Sequence, residues 1–245
     1  MTSRLLTFVS MRYFILLLAL CLGNLSLAQG ITAEQLLDKT IAFHDPNGNW
    51  KTFDGEFKVL MRSPNSSDRL STIAINIPKQ QFNLLVKKDG DSYTYTFDKG
   101  NCSTTLNGST EISEEHRKNY RLTCERGEMM KNYYTYLYGL PMKLKDPGTL
   151  LEDKVQKKTF KGKEYLVLKV SYDKNVGSDV WYFYFDPNTY AMEVYQFYHD
   201  ESKNDGEYIL LEGLEEINGI KMPKTRAWYM NKDNKYLGTD ILTKS

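Results

Sequence analysis

Residues 180–187 read Val-Trp-Tyr-Phe-Tyr-Phe-Asp-Pro, and this run decides the fold class. Successive side chains of a strand point to opposite faces, so Trp181 and Phe183 share one face with Phe185, and the tyrosines between them share the other. Aromatic side chains favour strands. A sheet with one solvated face alternates apolar with polar residues, so a strand with rings on both faces needs cover or a ligand on each.

The same period of two extends through most of the chain and predicts an antiparallel meander. Tight-turn signals such as Asp89-Gly90, Lys99-Gly100 and Asn218-Gly219 separate the runs, and no βαβ alternation is present. The predicted fold class is mainly β (α+β), a large antiparallel sheet curled into an unclosed β-barrel with covering helices. The predicted strands lie near 52–61, 70–77, 81–87, 92–98, 101–106, 154–160, 164–172, 179–185, 191–198, 207–215, 224–230 and 235–242.

Helices are predicted in two places. Thr32 and Gln35 form a capping box that starts an N-terminal helix, which Asp45-Pro46 and the residues after it stop. A helical insertion near 113–139 interrupts the meander; its second stretch begins at about Glu128, is rich in methionine and tyrosine, and ends at Gly139. We expect a single domain over residues 29–245.

The first 28 residues have the layout of a secretory signal peptide. They contain two arginines, no acidic residue, the apolar run 14–22 and a small-residue end at Ser26-Leu27-Ala28. The apolar run is shorter than the ~20 residues that a bilayer span needs. We therefore predict cleavage after Ala28 and export to the periplasm or the outer-membrane periphery. Met1 and Met11 are equally good translation starts, and an uncleaved anchor is the alternative.

Charge and cysteine usage narrow the function classes. Without the signal peptide, 30 basic residues stand against 31 acidic ones, so the protein has no electrostatic attraction to nucleic acid. Cys102 and Cys124 are the only cysteines left, in a compartment where disulfides persist. A bridge between them and two free, partly buried thiols are equally compatible with the sequence.

Three phrases carry a resemblance to a known fold family. They are Leu140-Pro141-Met142-Lys143-Leu144, the strand Trp181 to Phe185 with Asp186-Pro187, and Asn218-Gly219-Ile220-Lys221-Met222-Pro223. With the signal peptide, the N-terminal helix and the helical insertion, they resemble LolA and LolB, and an uncharacterised family of exported Bacteroidota proteins of that shape. The resemblance implies an unclosed β-barrel whose helices form a lid over an apolar cavity, as in periplasmic lipoprotein carriers.

Rings and methionines on the insertion helix and the later strands are the candidate cavity residues. Adaptable methionines beside aromatic rings suit an acyl chain, although the same side chains can simply pack a core. The cavity candidates are Met130, Tyr134, Tyr138, Trp181, Phe183 and Trp228.

Catalytic and metal sites are disfavoured. The pattern Asp45, Asn47, Asn49 and Glu56 has calcium-loop spacing, but Trp50 stands where glycine is needed, so a helix-stop turn is the better account. His44-Asp45 and His199-Asp200 could serve a metal or a proton relay only if the fold brought them together. No nucleophile or phosphate-binding motif is present. We predict no cofactor and no metal, and a protein that is not an enzyme.

The sequence thus predicts an exported cell-envelope protein that binds or carries an apolar small molecule or lipid in a half-barrel cavity. An envelope protein is a further candidate partner. The alternative is a structural or interaction module of the envelope whose core is filled and which has no ligand.

Overall fold

The computed structural model describes residues 30–244; the predicted signal peptide at 1–28 lies outside the described residues. Three α-helices and thirteen strands account for most of this part. The helices are α1 (Ala33–His44), α2 (Glu114–Tyr120) and α3 (Cys124–Gly139). The strands are β1 (Asp54–Ser63), β2 (Ser66–Asn76), β3 (Gln81–Lys88), β4 (Asp91–Asp98), β5 (Asn101–Leu106), β6 (Thr149–Leu151), β7 (Gln156–Phe160), β8 (Lys163–Tyr172), β9 (Val180–Phe185), β10 (Met192–Tyr198), β11 (Glu207–Ile217), β12 (Ile220–Met230) and β13 (Tyr236–Lys244).

All thirteen strands form one antiparallel sheet, which confirms the predicted fold class. Its order is β5-β4-β3-β2-β1-β13-β12-β11-β10-β9-β8-β6, and β7 also pairs with β8. The pairing of β1 with β13 joins the two halves of the meander. No pairing within residues 30–244 joins the β5 edge to the β6 and β7 edge, so the barrel stays unclosed.

The turn residues explain the hairpins. At Asn218-Gly219 the two φ angles are 49° and 77°, the pair of positive values that a two-residue type I′ turn requires. In the Asp89-Gly90 and Lys99-Gly100 turns both φ angles are likewise positive. These turns fix the register of long neighbouring strands, so each inner-face residue keeps its place across the sheet.

Because neighbouring strands alternate in direction, the sheet has two distinct ends. One, the closed end, carries the β9–β10 and β11–β12 turns, and α1 lies against it. The His44 Nδ1 donates to the Lys221 carbonyl at 2.6 Å, and the backbone N–H of Met192 donates to His44 Nε2 at 3.0 Å. The other, the open end, carries the β1–β2, β3–β4, β8–β9, β10–β11 and β12–β13 connections.

Both faces of the aromatic strand β9 are covered, as its pattern requires. On the outer face the β7–β8 hairpin packs a second small core around Tyr165, Tyr182 and Tyr184, and Phe160 of β7 contacts both Tyr184 and Tyr208. On the inner face Phe183 is fully buried. Within the described part of the chain, no helix is both long enough and apolar enough to span a membrane.

Candidate ligand groove

Helix α3 lies along the inner face of the sheet. Gly127, Met130, Tyr134, Leu137 and Tyr138 are buried and recur at helical spacing, so they form one stripe that faces the sheet. The helix approaches closely because glycines stand at both ends of the stripe. A Cβ at Gly139 would lie 2.3 Å from Trp50 Cζ2, and one at Gly127 would lie 2.8 Å from Tyr95 Cδ1.

Three contacts anchor α3 along its length. At its first residue, Cys124 is joined to Cys102 of β5 by a disulfide. In its middle, the Tyr134 hydroxyl donates to Ser71 Oγ of β2 at 3.0 Å. Near its end, the hydroxyls of Tyr136 and Tyr172 are hydrogen-bonded to each other. The helix is therefore attached to both halves of the sheet.

A row of charged side chains crosses the inner face beneath α3. Arg69 lies opposite Met61, Met61 opposite Asp240, and Asp240 opposite Arg226, on four neighbouring strands. Arg226 is fully buried and Asp240 is 5% exposed. Burial raises the pKa of the Asp240 carboxyl, and the two arginines act against that rise. Opposite residues of a sheet point to one face, so the half-barrel interior is charged as well as aromatic.

Arg226 links the sheet to α3. Its Nη1 donates to the Pro223 carbonyl at 2.9 Å and its Nη2 to the Leu137 carbonyl at 3.3 Å, and the guanidinium lies 3.9 Å from the centre of the Tyr138 ring. Its Nε has no hydrogen-bond partner, and neither do the buried hydroxyls of Tyr138 and Tyr195. Burial raises the pKa of Tyr195 to about 12, so its hydroxyl stays neutral.

Three clefts lie between α3 and the inner face, and they follow the order of the strands along the open end. We name them the arginine cleft (about 320 Å³), the central cleft (about 260 Å³) and the tyrosine cleft (about 440 Å³), and together the open-end groove. Two of these volumes fall within the range of about 300–1,000 Å³ that is typical of small-molecule sites.

The tyrosine cleft and the central cleft share an aromatic wall. Tyr136 and Trp181 line the first, and Tyr133 and Trp228 line the second. The rings of Trp181 and Trp228 both contact Tyr195, at centroid distances of 6.1 and 6.4 Å. The half-buried tryptophans of the two clefts are therefore linked through the fully buried ring of Tyr195.

Two carboxylates line the central cleft. Glu207 and Asp240 line it beside Met61 and Leu237. Burial raises the pKa of the Glu207 carboxyl, although the nearby His199 lowers it. The remaining wall is apolar, so this cleft suits a hydrocarbon segment better than a charged group.

The arginine cleft has a different character. Leu84, Val86 and Met130 form an apolar surface, and Tyr93, Tyr95 and Tyr120 border it. Arg69, Arg121 and Arg126 also line it, together with Lys88, Asp89 and Asp91. This cleft alone among the three combines several cations with a hydrocarbon surface.

The six predicted cavity residues fall into two groups. Met130, Trp181 and Trp228 line the arginine, tyrosine and central clefts respectively. Tyr134, Tyr138 and Phe183 lie in the core beneath, with 1%, 1% and 0% exposure, and line none of the described clefts. The sequence reasoning missed Arg69 of the arginine cleft and Tyr172 of the tyrosine cleft; the alternation of β8 was the available signal for Tyr172.

The other sequence patterns serve the fold. The two Asp45 carboxylate oxygens accept from the backbone N–H groups of Asn49 and Trp50, at 2.7 and 2.9 Å, so this segment is a helix-stop turn. His44, at the end of α1, contacts Met192 at the start of β10, and His199 follows the end of β10. The length of this strand, roughly 20 Å, therefore separates the two histidines. Within residues 30–244 no group of three or more His, Cys, Asp or Glu side chains could hold a metal ion.

Solved structures similar to this chain match it at low sequence identity. A LolA superfamily protein from Nitrosomonas europaea matches with a TM-score of 0.50 and 11% identity, over 88% of this chain and 93% of that one. A DUF1329 family protein from Desulfovibrio piger gives 0.48 and 10%, over 86% and 90%. A putative outer membrane lipoprotein-sorting protein domain from Vibrio parahaemolyticus gives 0.44 and 14%, over 86% and 89%. The first likeness confirms the LolA-like fold.

Sequence comparison identifies the family to which the chain belongs. None of the curated proteins matches it significantly. The profile of a family of unknown function matches residues 11–244, which include every helix and strand described above. The protein is thus a member of the DUF6503 family, with a LolA-like half-barrel as its fold.

Proposed function

We propose that this protein is exported and binds an apolar, lipid-like ligand in the open-end groove between α3 and the inner face of the sheet. The observation that carries the proposal is the aromatic wall: half-buried Trp181 and Trp228 line clefts on either side of the Tyr195 ring. Each buried methylene contributes ~0.8 kcal/mol, so one acyl chain supplies enough affinity without a charged anchor. The LolA-like fold agrees with a carrier, as the resemblance implies.

Uptake of a fluorescent fatty acid by the mature protein tests ligand binding, and native mass spectrometry tests for a ligand that copurifies. Ser178 is exposed and lines the tyrosine cleft, whereas Lys174 is an exposed residue of the same segment that lines none of the described clefts. We expect Ser178→Trp to fill the cleft and weaken uptake, and Lys174→Trp to leave it unchanged. A protein that takes up no acyl probe and purifies without a ligand contradicts the proposal.

Export is the second part of the proposal. A disulfide between Cys102 and Cys124 agrees with an oxidising compartment, and the signal-like residues 1–28 supply the route. N-terminal sequencing of the full chain expressed in a Gram-negative host should find a periplasmic protein that begins at Gln29. A cytoplasmic product that keeps residues 1–28 would refute export. We also propose that residues 29–245 of the exported protein form a single domain.

A structural or interaction module of the envelope is the second candidate. It is favoured by the filled interior, since Tyr134, Tyr138 and Phe183 occupy the space that a purely hollow barrel would leave open. This candidate predicts that the protein purifies without a ligand and that Ser178→Trp and Lys174→Trp do not differ in uptake of the acyl probe. It also predicts that a protein partner is recovered from envelope extract.

A further inference from the structure

The arginine cleft contains more cationic than anionic groups, and its anions are already engaged. Asp91 accepts from the Tyr120 hydroxyl and from Asn107 Nδ2, and Asp89 accepts from Ser67 Oγ at 2.5 Å. Lys88 donates to Ser66 Oγ at 2.8 Å. The charged groups of the β3–β4 turn thus have partners at the rim.

The three arginines of the cleft have no such partners. None of the ion pairs within 4 Å among residues 30–244 includes Arg69, Arg121 or Arg126. Arg126 makes only a contact to the Met129 sulfur, at 3.4 Å. Three guanidinium groups without an ion-pair partner within 4 Å therefore line one cleft, and the two carboxylates that share it, Asp89 and Asp91, already accept hydrogen bonds from other residues.

Arg69 is the deepest of the three. It stands on β2 in the charged row of the inner face, two strands from Asp240. Its Nε is buried and has no hydrogen-bond partner. An unpartnered donor away from water is costly, so a position that keeps one calls for an acceptor. A guanidinium is also the group that matches a carboxylate or phosphate in shape, with two parallel hydrogen bonds.

Hydrocarbon surface continues directly from the arginines. Leu84, Val86 and Met130 line the same cleft, and Tyr133, one helical turn along α3 from Met130, lines the neighbouring central cleft. A ligand with its anionic end at the arginines can therefore lay its chain toward the apolar central cleft.

We infer that the arginine cleft binds the anionic headgroup, carboxylate or phosphate, of an amphiphile whose chain occupies the rest of the open-end groove. This inference rests on the proposed function and adds to it the polarity of the ligand and its direction in the groove.

Probes that share one oleoyl chain test the inference with the mature protein. They are oleate, oleoyl lysophosphatidic acid and neutral mono-oleoylglycerol, with inorganic phosphate as the chainless arm. We expect the two anionic amphiphiles to bind at least ~10-fold more tightly than the neutral one, and Arg69→Gln with Arg126→Gln to remove most of that difference. Arg62→Gln is the matched control, because Arg62 is exposed and paired with Asp68 at 3.3 Å.

Each outcome decides something different. Equal affinity for charged and neutral probes, unchanged by Arg69→Gln, overturns the headgroup site and leaves the apolar groove standing. Phosphate that binds as tightly as the phosphate amphiphile overturns the amphiphile and leaves a small-anion site. Absence of binding by every oleoyl probe contradicts the proposed function itself. Arg69→Lys keeps the charge and loses the paired hydrogen bonds; partial retention of the preference, with stronger salt dependence, supports the site.

Discussion

At the scale of single residues, the structure uses buried polar groups where the sequence pattern suggests surface. Arg226 and Trp228 are two residues apart on β12, so both side chains lie on the inner face of the sheet. Arg226 is fully buried there, although a charged residue is rarely fully buried. Alternation alone could predict its face. Its burial could not be predicted, because the Leu137 carbonyl that accepts one of its hydrogen bonds and the Tyr138 ring beneath its guanidinium come from α3, which is distant in sequence.

His44 predicts a pH dependence of stability. Its Nδ1–H donates to Lys221 and its Nε2 accepts from Met192, so the neutral ring fits and a second proton would oppose the Met192 N–H. Burial lowers its pKa from 6.5 to about 4. Above pH 6.5 the His44 ring is neutral in both the folded and the unfolded chain. Between pH 6.5 and 4 the ring is protonated only in the unfolded chain. The free energy of unfolding should therefore fall by up to about 3 kcal/mol across that window.

NMR titration of the histidines measures this directly. The His44 ring should stay neutral until about pH 4. His44→Gln should flatten the stability profile between pH 6.5 and 4, whereas His116→Gln, an exposed position on α2, should leave it unchanged. A His44 ring that titrates near 6.5 in the folded protein would show that the proposed hydrogen bonds are absent.

Gly139 predicts a packing limit at the end of α3. A Cβ there would lie 2.3 Å from the Trp50 ring, whose buried position leaves it little room to move. Gly139→Ala should lower the free energy of unfolding by about 1–3 kcal/mol, as overpacking of a core does. Gly177→Ala is the control, since its nearest atoms would be 3.8 Å away. Equal stability of the two variants in urea unfolding would contradict the packing described here.

At the scale of elements, the period-two pattern and the turn residues predicted most of the sheet. All the predicted strands correspond to observed ones, but β6 was missed because three residues are too few to show a period. β12 was predicted from 224 and begins at Ile220, because Pro223 disguises its start. Helix α3 begins at Cys124 rather than near Glu128; its polar first turn hid the N-cap at Thr123.

The disulfide ties the start of α3 to the edge strand β5, and we expect it to make a measurable contribution to the free energy of unfolding. It joins β5 to the start of α3 across 22 residues of sequence. Closing a loop of that size stabilises a fold by about 3 kcal/mol, mainly by restricting the unfolded chain. The Cys102→Ala, Cys124→Ala double variant should lose about that much in denaturant unfolding. A reducing agent should destabilise the wild type and have no effect on the variant; indifference of both would contradict the tether.

At the scale of the whole molecule, the decisive feature is a contact between distant parts of the chain. β1 pairs with β13, and α3 crosses from the β5 edge towards β8 and β9. No local pattern encodes these contacts, so the sequence could predict a curled sheet but not which rings would border a cleft. Trp181 and Phe183 share one face of β9, yet only Trp181 lines a cleft, because Phe183 lies deeper under the cover of the inner face.

Tryptophan positions make the account of the groove testable with one spectroscopic experiment. The protein has three tryptophans: Trp181 and Trp228 line the open-end groove, and Trp50 is buried near the closed end against Gly139. Bromine on an acyl chain quenches the fluorescence of a tryptophan that it approaches closely. Trp50→Phe keeps the two groove residues, and Trp181→Phe with Trp228→Phe keeps Trp50 alone.

Titration of both variants with a chain-brominated fatty acid is the most direct test of the groove. The account predicts strong, saturable quenching of the Trp50→Phe protein and little quenching of the protein that keeps only Trp50. Equal quenching of both, or binding of the brominated chain without quenching of Trp181 and Trp228, would show that the ligand lies elsewhere and would contradict the groove.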